Sequence, residues 1–372
     1  MTPLSRFTRI ALILTALGAA CTPSSSGDGR ITLKRPQATL PGTFGQVTGI
    51  AELTDGRVAV ADFGHRLFLY GSFDPAGVDT IGRHVDTLAP GESMIGIQRL
   101  PGIVVHLGGD TVALVDFALQ RATLWTEKGQ SLGPVVTYPV AGYNPAITYD
   151  TLGYAYKADY RAVIGGLEPG LITHSDSAPI VRFKRDAAAG DTIGELLLPR
   201  MGDARFGDQT KTVPVVFSPS DVFSVTPDGW LWVARATTNS VDWRSPGGEW
   251  THGTPRTWTK VPVTQADKSN FMDAARRNGL NPQLEVVFPF AAEKPPFTSA
   301  TTGRNGTVWL QRSREAGDSV PVYDVVSRDG AVLKVVALPK GASLAAVGRN
   351  GAIYVIAREG VTQKVNRYQL PQ

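Results

Sequence analysis

Apolar residues along this chain come in short runs, each introduced by a turn that contains glycine. Glycine and the Asn-Gly pair supply the positive φ angles at which a chain reverses, and Val, Ile, Trp and Tyr favour the pleated strand that follows. Long helical periodicity is nearly absent, and we therefore predict an all-β fold of many short strands. The six clearest signals are TDGRVAV at Gly56, GGDTVAL at Gly109, DTLGYAY at Gly153, PDGWLWV at Gly229, GRNGTVWL at 303–310 and GRNGAIYV at 348–355.

The spacing of these turns predicts a closed ring of repeated sheets. Successive turn glycines are 53, 44, 76, 77 and 45 residues apart, and joining the chain ends from Arg30 onwards adds an interval of 47. Periods near 45 residues are typical of β-propeller blades. Neither long interval contains a second Asp-Gly or Asn-Gly followed by an apolar run, so we predict six four-stranded antiparallel blades. A strand around residues 31–33 is expected to complete the last blade and close the ring.

One inserted helix is predicted at residues 266–278. Thr264 and Asp267 have the spacing of a capping box, and Gly279 can end the last turn. Phe271 and Met272 can share an apolar face with the alanines that follow them. Such a face favours packing on a blade or covering the ring, and binding a partner is the alternative.

The segment GIAELTDGRVAVADFGHRLFLY at 49–70 resembles the NHL-type repeat of six-bladed, TolB-like β-propellers. The matching elements are Gly-Ile-Ala, the Asp-Gly before a strand, the Val-Ala-Asp at its end and the Arg of the following strand. The similarity extends loosely over residues 30–372, which we treat as a single propeller domain. This superfamily contains binding proteins, scaffolds and enzymes, so the resemblance implies a fold and not a function.

A second copy of this pattern, VALVDFALQRATLW at 112–125, repeats the Asp-Phe pair of VAVADFGHRLFLY at 58–70. In the repeats that these segments resemble, the Asp ends the second strand and holds the following loop by hydrogen bonds. The resemblance therefore implies a structural role for Asp62 and Asp116. Their neighbours in such repeats would be Arg66 and Arg121.

The first 29 residues read as an export signal, an anchor and a tether. Residues 1–20 have two arginines, an apolar stretch and small residues, which is the pattern of a secretory signal peptide. Leu-Gly-Ala-Ala before Cys21 resembles the lipobox of bacterial lipoproteins, which implies lipid attachment at Cys21; an ordinary signal peptide with a chance cysteine is the alternative. Residues 21–29 then form a flexible linker. Thr22, in place of a retention Asp, favours the outer membrane, facing the periplasm.

Composition excludes several kinds of chemistry. Cys21 is the only cysteine, so there is no disulfide framework, thiolate zinc site or cysteine nucleophile. The formal charge is +4, and removal of the two signal arginines leaves +2 with no long basic run, which disfavours nucleic-acid binding. No P-loop, dinucleotide fingerprint or EF-hand loop is present. The sequence therefore implies no cofactor and assigns no catalytic residue.

Tryptophans indicate a candidate contact surface. Trp230 and Trp232 are two apart in a predicted strand and should share a face in packing between blades. Trp250 lies instead in the turn-rich segment SPGGEWTHG, with Arg244, His252 and Arg256 nearby in the sequence. Aromatic and Arg side chains dominate contact hot spots, so these four residues can contact a sugar or a partner. Packing of Trp250 on its own blade is the alternative.

Two classes of function remain open at this stage. The leading hypothesis is a lipid-anchored, non-catalytic propeller that binds a protein, peptide or glycan in the cell envelope, or serves there as a scaffold. The alternative is a metal-dependent hydrolase or lyase of lactonase type at the channel mouth, for which inner-strand acids such as Glu52 and Asp221 are the available residues. The histidines show no HExxH or similar ligand spacing.

Overall fold

The computed structural model describes residues 29–84, 96–119, 121–137, 148–159, 175–184 and 190–371, and their regular secondary structure is almost entirely β. Six sheets have the pattern of consecutive antiparallel strands expected for propeller blades, and we number them blades 1 to 6 in chain order. Cys21 and the rest of residues 1–28 lie outside the described residues. No helix in the described ranges is long and apolar enough to cross a membrane.

The first half of the chain contains three blades. The strands are β1 (Ile31–Thr32) and β2 (Ala38–Thr39); in blade 1, β3 (Val47–Glu52), β4 (Val58–Asp62), β5 (Leu67–Phe73) and β6 (Ala76–Thr80); the parallel pair β7 (Arg83–His84) and β8 (Ile97–Gln98); in blade 2, β9 (Pro101–His106), β10 (Thr111–Asp116), β11 (Arg121–Thr126) and β12 (Ser131–Thr137); and in blade 3, β13 (Thr148–Tyr149), β14 (Tyr154–Ala158), β15 (Ser177–Lys184) and β16 (Asp191–Leu197).

The second half adds three blades and one accessory sheet. The elements are β17 (Met201–Phe206) and β18 (Gln209–Pro214); in blade 4, β19 (Val222–Val225), β20 (Leu231–Arg235), β21 (Ser240–Arg244) and β22 (Trp250–Thr251); helix α1 (Gln265–Arg277); β23 (Val286–Val287), which pairs with β17; in blade 5, β24 (Phe297–Thr302), β25 (Val308–Arg312), β26 (Val322–Val326) and β27 (Val332–Ala337); and in blade 6, β28 (Ser343–Val347), a 3-10 turn (Arg349–Gly351), β29 (Ala352–Glu359) and β30 (Thr362–Gln369).

The hydrophobic core is divided among the interfaces between neighbouring blades. The described residues form six buried clusters, and each joins one blade to the next, including blade 6 to blade 1. Trp232 illustrates the packing: it is fully buried between blades 4 and 5, where its indole N–H donates to Thr302 Oγ1 at 3.1 Å. Trp230 belongs to the same cluster, so the prediction that these two tryptophans share an interblade face is confirmed.

The prediction that an N-terminal strand completes the last blade is confirmed, but its position at residues 31–33 was wrong. Blade 6 is completed by β2, which pairs antiparallel with β30. β1 instead adds to blade 5, in parallel with β27. Ile31 and Leu33 pack in the cluster between blades 5 and 6. Pro36 lies between the two strands, which belong to different sheets.

The predicted helix is confirmed, beginning one residue early. Thr264 caps α1 by the expected box: its hydroxyl accepts from the backbone N–H of Asp267, whose carboxylate accepts from the backbone N–H of Thr264. Phe271 places its ring 5.1 Å from that of Phe288 and 5.6 Å from that of Phe290. α1 therefore packs on the segment around β23.

Asp62 and Asp116 have the structural role that the repeat resemblance implied. Both are buried, and their carboxylates accept backbone N–H groups from the loop that enters the blade and from the loop that follows the Asp. Asp62 accepts from Gly45 and Gln46 at 2.9–3.1 Å. Asp116 likewise accepts from four backbone N–H groups at 2.6–3.0 Å. These bonds fix where each inner strand begins.

Candidate ligand site in the central channel

A cavity of about 610 Å³ lies at the centre of the ring. All six inner strands line it, which are β3, β9, β13, β19, β24 and β28. The lining comes from the last residues of each strand and from the turn that follows several of them, so all six strands end at the same opening. We call this opening the turn mouth, and it is built from the glycine-containing turns that the sequence showed as repeats.

The walls of the cavity are largely apolar. Neighbouring blades pack face to face around the ring. Each inner strand therefore presents one edge, with a few small or aliphatic side chains, to the centre. The apolar lining includes Ile50, Ile103, Phe223, Ala300 and Val347. Thr148 Oγ1 and Ser224 Oγ lie 3.4 Å apart across two neighbouring inner strands and form a polar contact on this wall.

Charged groups are concentrated at the turn mouth around Glu52. This side chain ends β3, and one carboxylate oxygen accepts the hydroxyl of Tyr354 at 2.9 Å. The other accepts the backbone N–H of Arg349 at 2.7 Å and its Nε–H at 3.0 Å. Burial, together with the Glu52 carboxylate, raises the pKa of Tyr354, so the phenol stays a donor. Arg349 also donates to the carbonyl of Leu53, and its guanidinium is therefore locked in place.

Arg304 lies beside this network and is held differently. Its guanidinium is 3.5 Å from the carboxylate of Glu52, its one charged partner in the part of the chain that the structure describes. Arg304 and Arg349 occupy the same position of the repeated Gly-Arg-Asn-Gly turn. The two turns bring both arginines to one carboxylate, because blades 5 and 6 are neighbours in the ring.

A second polar group lies on the adjacent blades. His106 ends β9 and lines the cavity, and its Nε2–H donates to Glu127 at 2.9 Å. The same carboxylate accepts the backbone N–H of Thr54 at 2.6 Å and the Thr54 hydroxyl. Arg57 donates to the backbone carbonyl of Glu127 at 2.6 Å. These contacts join blades 1 and 2 at the turn mouth and fix the ring plane of His106.

Three of the four residues proposed from the sequence as a contact surface lie together, on the outer edge of blade 4 and away from the channel. Arg244 and Trp250 are paired across β21 and β22. The ring of Trp250 stacks on that of His252 at 6.2 Å with an interplanar angle of 3°. The indole also packs on Gly194 of blade 3. His252 is exposed, with Nδ1 3.3 Å from Asp242. A role in contacting a protein or glycan stays a prediction for this group.

The fourth residue, Arg256, has contacts that are internal to blade 4. Its Nε–H donates to the carbonyl of Asn239 at 2.7 Å, and an Nη2–H donates to the Asn239 side chain at 3.1 Å. Burial lowers the pKa of this guanidinium. Arg256 therefore holds the chain after β22 against the turn between β20 and β21.

Glu52 and Asp221 lie at opposite ends of their inner strands. Glu52 ends β3, whereas Asp221 precedes β19 and accepts from the backbone N–H groups of Leu197 and Ala236 and from Arg235. Within the described ranges, no group of three or more His, Cys, Asp or Glu side chains is placed to hold a metal ion.

Sequence reasoning named Glu52 and missed its partners. The signal for Arg304 and Arg349 was present, because both occur in the repeated turn that was used to find the blades. Equivalent positions in consecutive blades project into the same mouth of a propeller. The prediction of the blades used the glycines and the strands of this repeat and made no use of its Arg.

Comparison with solved structures supports the fold. A member of the DUF4221 family from Bacteroides vulgatus superposes with a TM-score of 0.50 at 8% identity, over 90% of this chain and 97% of that chain. Regucalcin from Agrobacterium tumefaciens, described as calcium-binding, gives 0.42 at 9% identity over 91% and 96%. Virginiamycin B lyase from Staphylococcus aureus gives 0.39 at 11% over 90% and 87%. No protein-family model and no curated protein matches the sequence. The chain is a β-propeller, and likenesses this distant carry no argument about its activity.

Proposed function

We propose that this protein is an extracytoplasmic, lipid-anchored β-propeller of the NHL and TolB-like kind that binds a ligand in its central channel. The signal at residues 1–20 and the lipobox at Cys21 support export and anchoring. The linker that follows would hold the ring near the periplasmic face of the outer membrane. The binding role deepens the hypothesis of an envelope binding module, because it assigns the ligand to a particular cavity.

The observation that carries this proposal is the combination of an apolar cavity with a charged mouth. Ligand pockets typically have volumes of roughly 300–1,000 Å³ and apolar walls with a few placed polar groups. The channel, at about 610 Å³, falls within this range, and its charged groups are concentrated at one end. Such a cavity suits a small ligand that enters at the turn mouth.

The hydrogen bonds that the Glu52 carboxylate accepts favour binding over hydrolysis. A general base needs an oxygen free to take a proton from substrate. Both oxygens of Glu52 are used instead by Tyr354 and Arg349. The carboxylate therefore acts as a fixed anchor for the arginine side chains.

The test compares full-length wild type with Ser224→Phe, which narrows the channel, and Thr210→Phe, which adds the same side chain on the exposed strand β18. Each protein is purified from the envelope of a bacterial host, and small molecules released on denaturation are quantified by mass spectrometry. We expect a species bound to wild type and to Thr210→Phe that falls at least fivefold in Ser224→Phe. Equal recovery from all three folded proteins would contradict channel binding.

The same preparations test the anchor. Wild type is expected in the membrane fraction, whereas Cys21→Ser should appear in the soluble fraction with an unchanged thermal midpoint. Membrane retention of Cys21→Ser would contradict lipid attachment at this residue.

A further inference from the structure

We propose that the ligand of the channel is a small organic acid whose single carboxylate binds Arg304 at the turn mouth and whose apolar body lies along the channel wall. This inference rests on the proposed function and adds the chemical class of the ligand. It is carried by the difference between the two arginines of the repeated turn.

Two of the five donors of Arg349 are bound by the protein and fix its guanidinium, whereas no donor of Arg304 forms a hydrogen bond within the described residues. Arg349 donates through Nε to Glu52 and through Nη2 to the Leu53 carbonyl. In the described residues, the side chain of Arg304 makes no hydrogen bond and has only the 3.5 Å ion pair with Glu52. A guanidinium carries five N–H donors in a planar fork that matches the two oxygens of a carboxylate. Arg304 is thus available for a bidentate contact.

The net formal charge of the lining side chains suits a ligand with one negative charge. Among the side chains that line the cavity, Arg304 and Arg349 are cationic and Glu52 is anionic, which leaves a formal excess of one positive charge. The buried carboxylate of Glu127 behind His106 is opposed by Arg57, which donates to the Glu127 backbone carbonyl. Clefts with low-dielectric walls focus such a charge on an entering ion. A monoanionic carboxylate neutralises the excess, whereas a dianion such as a phosphomonoester would overcompensate it. A cation would meet repulsion from both guanidinium groups.

The turn that carries Arg304 is rigid, so its side chain is presented from a fixed point. Asn305 and Gly306 have φ angles of 54° and 68°, as two-residue hairpins of this class require. The carbonyl of Arg304 accepts the backbone N–H of Thr307 at 3.2 Å and the Thr307 hydroxyl at 2.8 Å. A fixed backbone reduces the ordering cost of binding. The side chain is 39% exposed, which leaves it reachable from solvent.

The walls below the mouth account for the apolar body. Ile50, Ile103, Phe223 and Val347 come from four different blades and surround the same space. An inorganic anion would leave this apolar surface in contact with water, whereas an aliphatic or aromatic chain attached to the carboxylate would cover it. Removal of this apolar surface from water favours binding. Trp232 is buried just behind this wall and donates its indole N–H to the lining residue Thr302, so it provides a local reporter for occupancy.

The experiment titrates three probes of one shape into the folded protein: 4-phenylbutanoate, 4-phenylbutanamide and 4-phenylbutylammonium. Affinity is measured by calorimetry, and the indole N–H resonance of Trp232 reports channel occupancy. We expect the carboxylate to shift this resonance saturably and to bind at least tenfold more tightly than the amide or the ammonium. Its affinity should also fall with ionic strength.

Variants assign the effect to Arg304. Arg304→Gln should lower the affinity for the carboxylate probe at least tenfold and leave the affinity for the amide probe unchanged. Arg304→Lys should bind the carboxylate with an affinity between those of wild type and Arg304→Gln, because lysine keeps the charge and lacks the planar fork of donors. Arg358→Gln is the matched control, since it removes one exposed arginine at the far end of β29. Its affinities should equal those of wild type, and thermal midpoints should be unchanged for all three.

Each contrary outcome has a distinct meaning. Equal binding of the carboxylate and the amide, with the Trp232 resonance shifted, would overturn the carboxylate inference and leave channel binding intact. Wild-type affinity in Arg304→Gln would also overturn it. If none of the three probes binds, the inference fails, and the comparison of Ser224→Phe with Thr210→Phe decides the proposed function separately.

Discussion

At the scale of single residues, Glu52 connects parts of the chain that are almost 300 residues apart. It joins the end of β3 to the turn before β29 through Arg349, and to β29 itself through Tyr354. It is therefore both a mouth residue and a contact across the seam where blade 6 meets blade 1. Charge-assisted hydrogen bonds of a buried carboxylate contribute about 1.5–3 kcal/mol each.

We expect Glu52→Gln to lower the free energy of unfolding by roughly 1–3 kcal/mol. The amide keeps an acceptor for Tyr354 but loses the charge that holds Arg349. Urea denaturation measures the change. Glu249→Gln, at an exposed outer turn, should leave the midpoint unchanged. A Glu52→Gln variant as stable as wild type would show that the seam does not depend on this carboxylate.

Residue roles were predictable from sequence where the contact is local or repeated. Asp62 and Asp116 bind loops at fixed offsets in two copies of one motif, and the motif alone indicates them. Arg304 and Arg349 meet Glu52 only after the ring closes, so their sequence spacing from it contains no hint of contact. The turn-rich surroundings of Trp250 favoured a contact surface, and the sequence contains no sign that its indole packs on Gly194 of the neighbouring blade.

At the scale of elements, α1 shows what a capped helix adds to a β-structure. Its first turn is tied to the chain before blade 5, because Lys294 Nζ donates to Asp267 at 2.5 Å and to the carbonyl of Arg314 at 2.6 Å. Both charged groups are buried. Burial opposes ionisation of Asp267, but hydrogen bonds from Lys294 and Thr264 outweigh it and hold its pKa below the usual value.

This lowered pKa predicts a pH dependence of stability. Because the unfolded chain binds the Asp267 proton more tightly, the stabilisation is complete above about pH 4 and is lost as pH falls further. Asp267→Asn should be less stable than wild type by roughly 3–5 kcal/mol at pH 7, since Lys294 stays buried without a counter-ion. The gap should narrow toward pH 3.

The measurement is the urea midpoint of both proteins at pH 7, 5, 4 and 3. Asp273→Asn is the control, because Asp273 is exposed on the same helix, and its gap to wild type should stay near zero. A gap for Asp267→Asn that does not change with pH would contradict the linkage.

The helix and the closing strand differ in how far the sequence determines their positions. The helix was predictable because its cap, its apolar face and its end are all encoded within 16 residues. The position of the closing strand was not, because residues 31–33 and 38–39 are both short β-prone segments that find partners more than 300 residues away. Periodicity predicts that a strand closes the ring, and only packing decides which segment it is.

At the scale of the whole molecule, stability depends on closure. Each blade buries its faces against two neighbours, and the described residues contain an interface cluster at every junction. The cluster between blades 6 and 1 contains Leu40 and Phe44, which both follow β2 in the chain. The N-terminal segment therefore completes a sheet and also fills the core of the seam.

Two truncations separate these contributions. A body that begins at residue 36 loses β1 and keeps β2, whereas one that begins at residue 45 loses both strands together with Leu40 and Phe44. Removing each of these buried side chains costs about 2–5 kcal/mol, so the second truncation should unfold at a much lower urea concentration than the first, or not fold. Equal midpoints would show that β2 does not close the ring.

β1 and β2 also decide how the ring responds to a mechanical pull on its N-terminus. A force applied at residue 29 would reach β1 first, which is attached to the outer edge of blade 5 by a two-residue parallel ladder. Only when that ladder has sheared does the load pass to β2 and the seam of blade 6. β1 would thus protect the closing strand from a pull on this end of the chain.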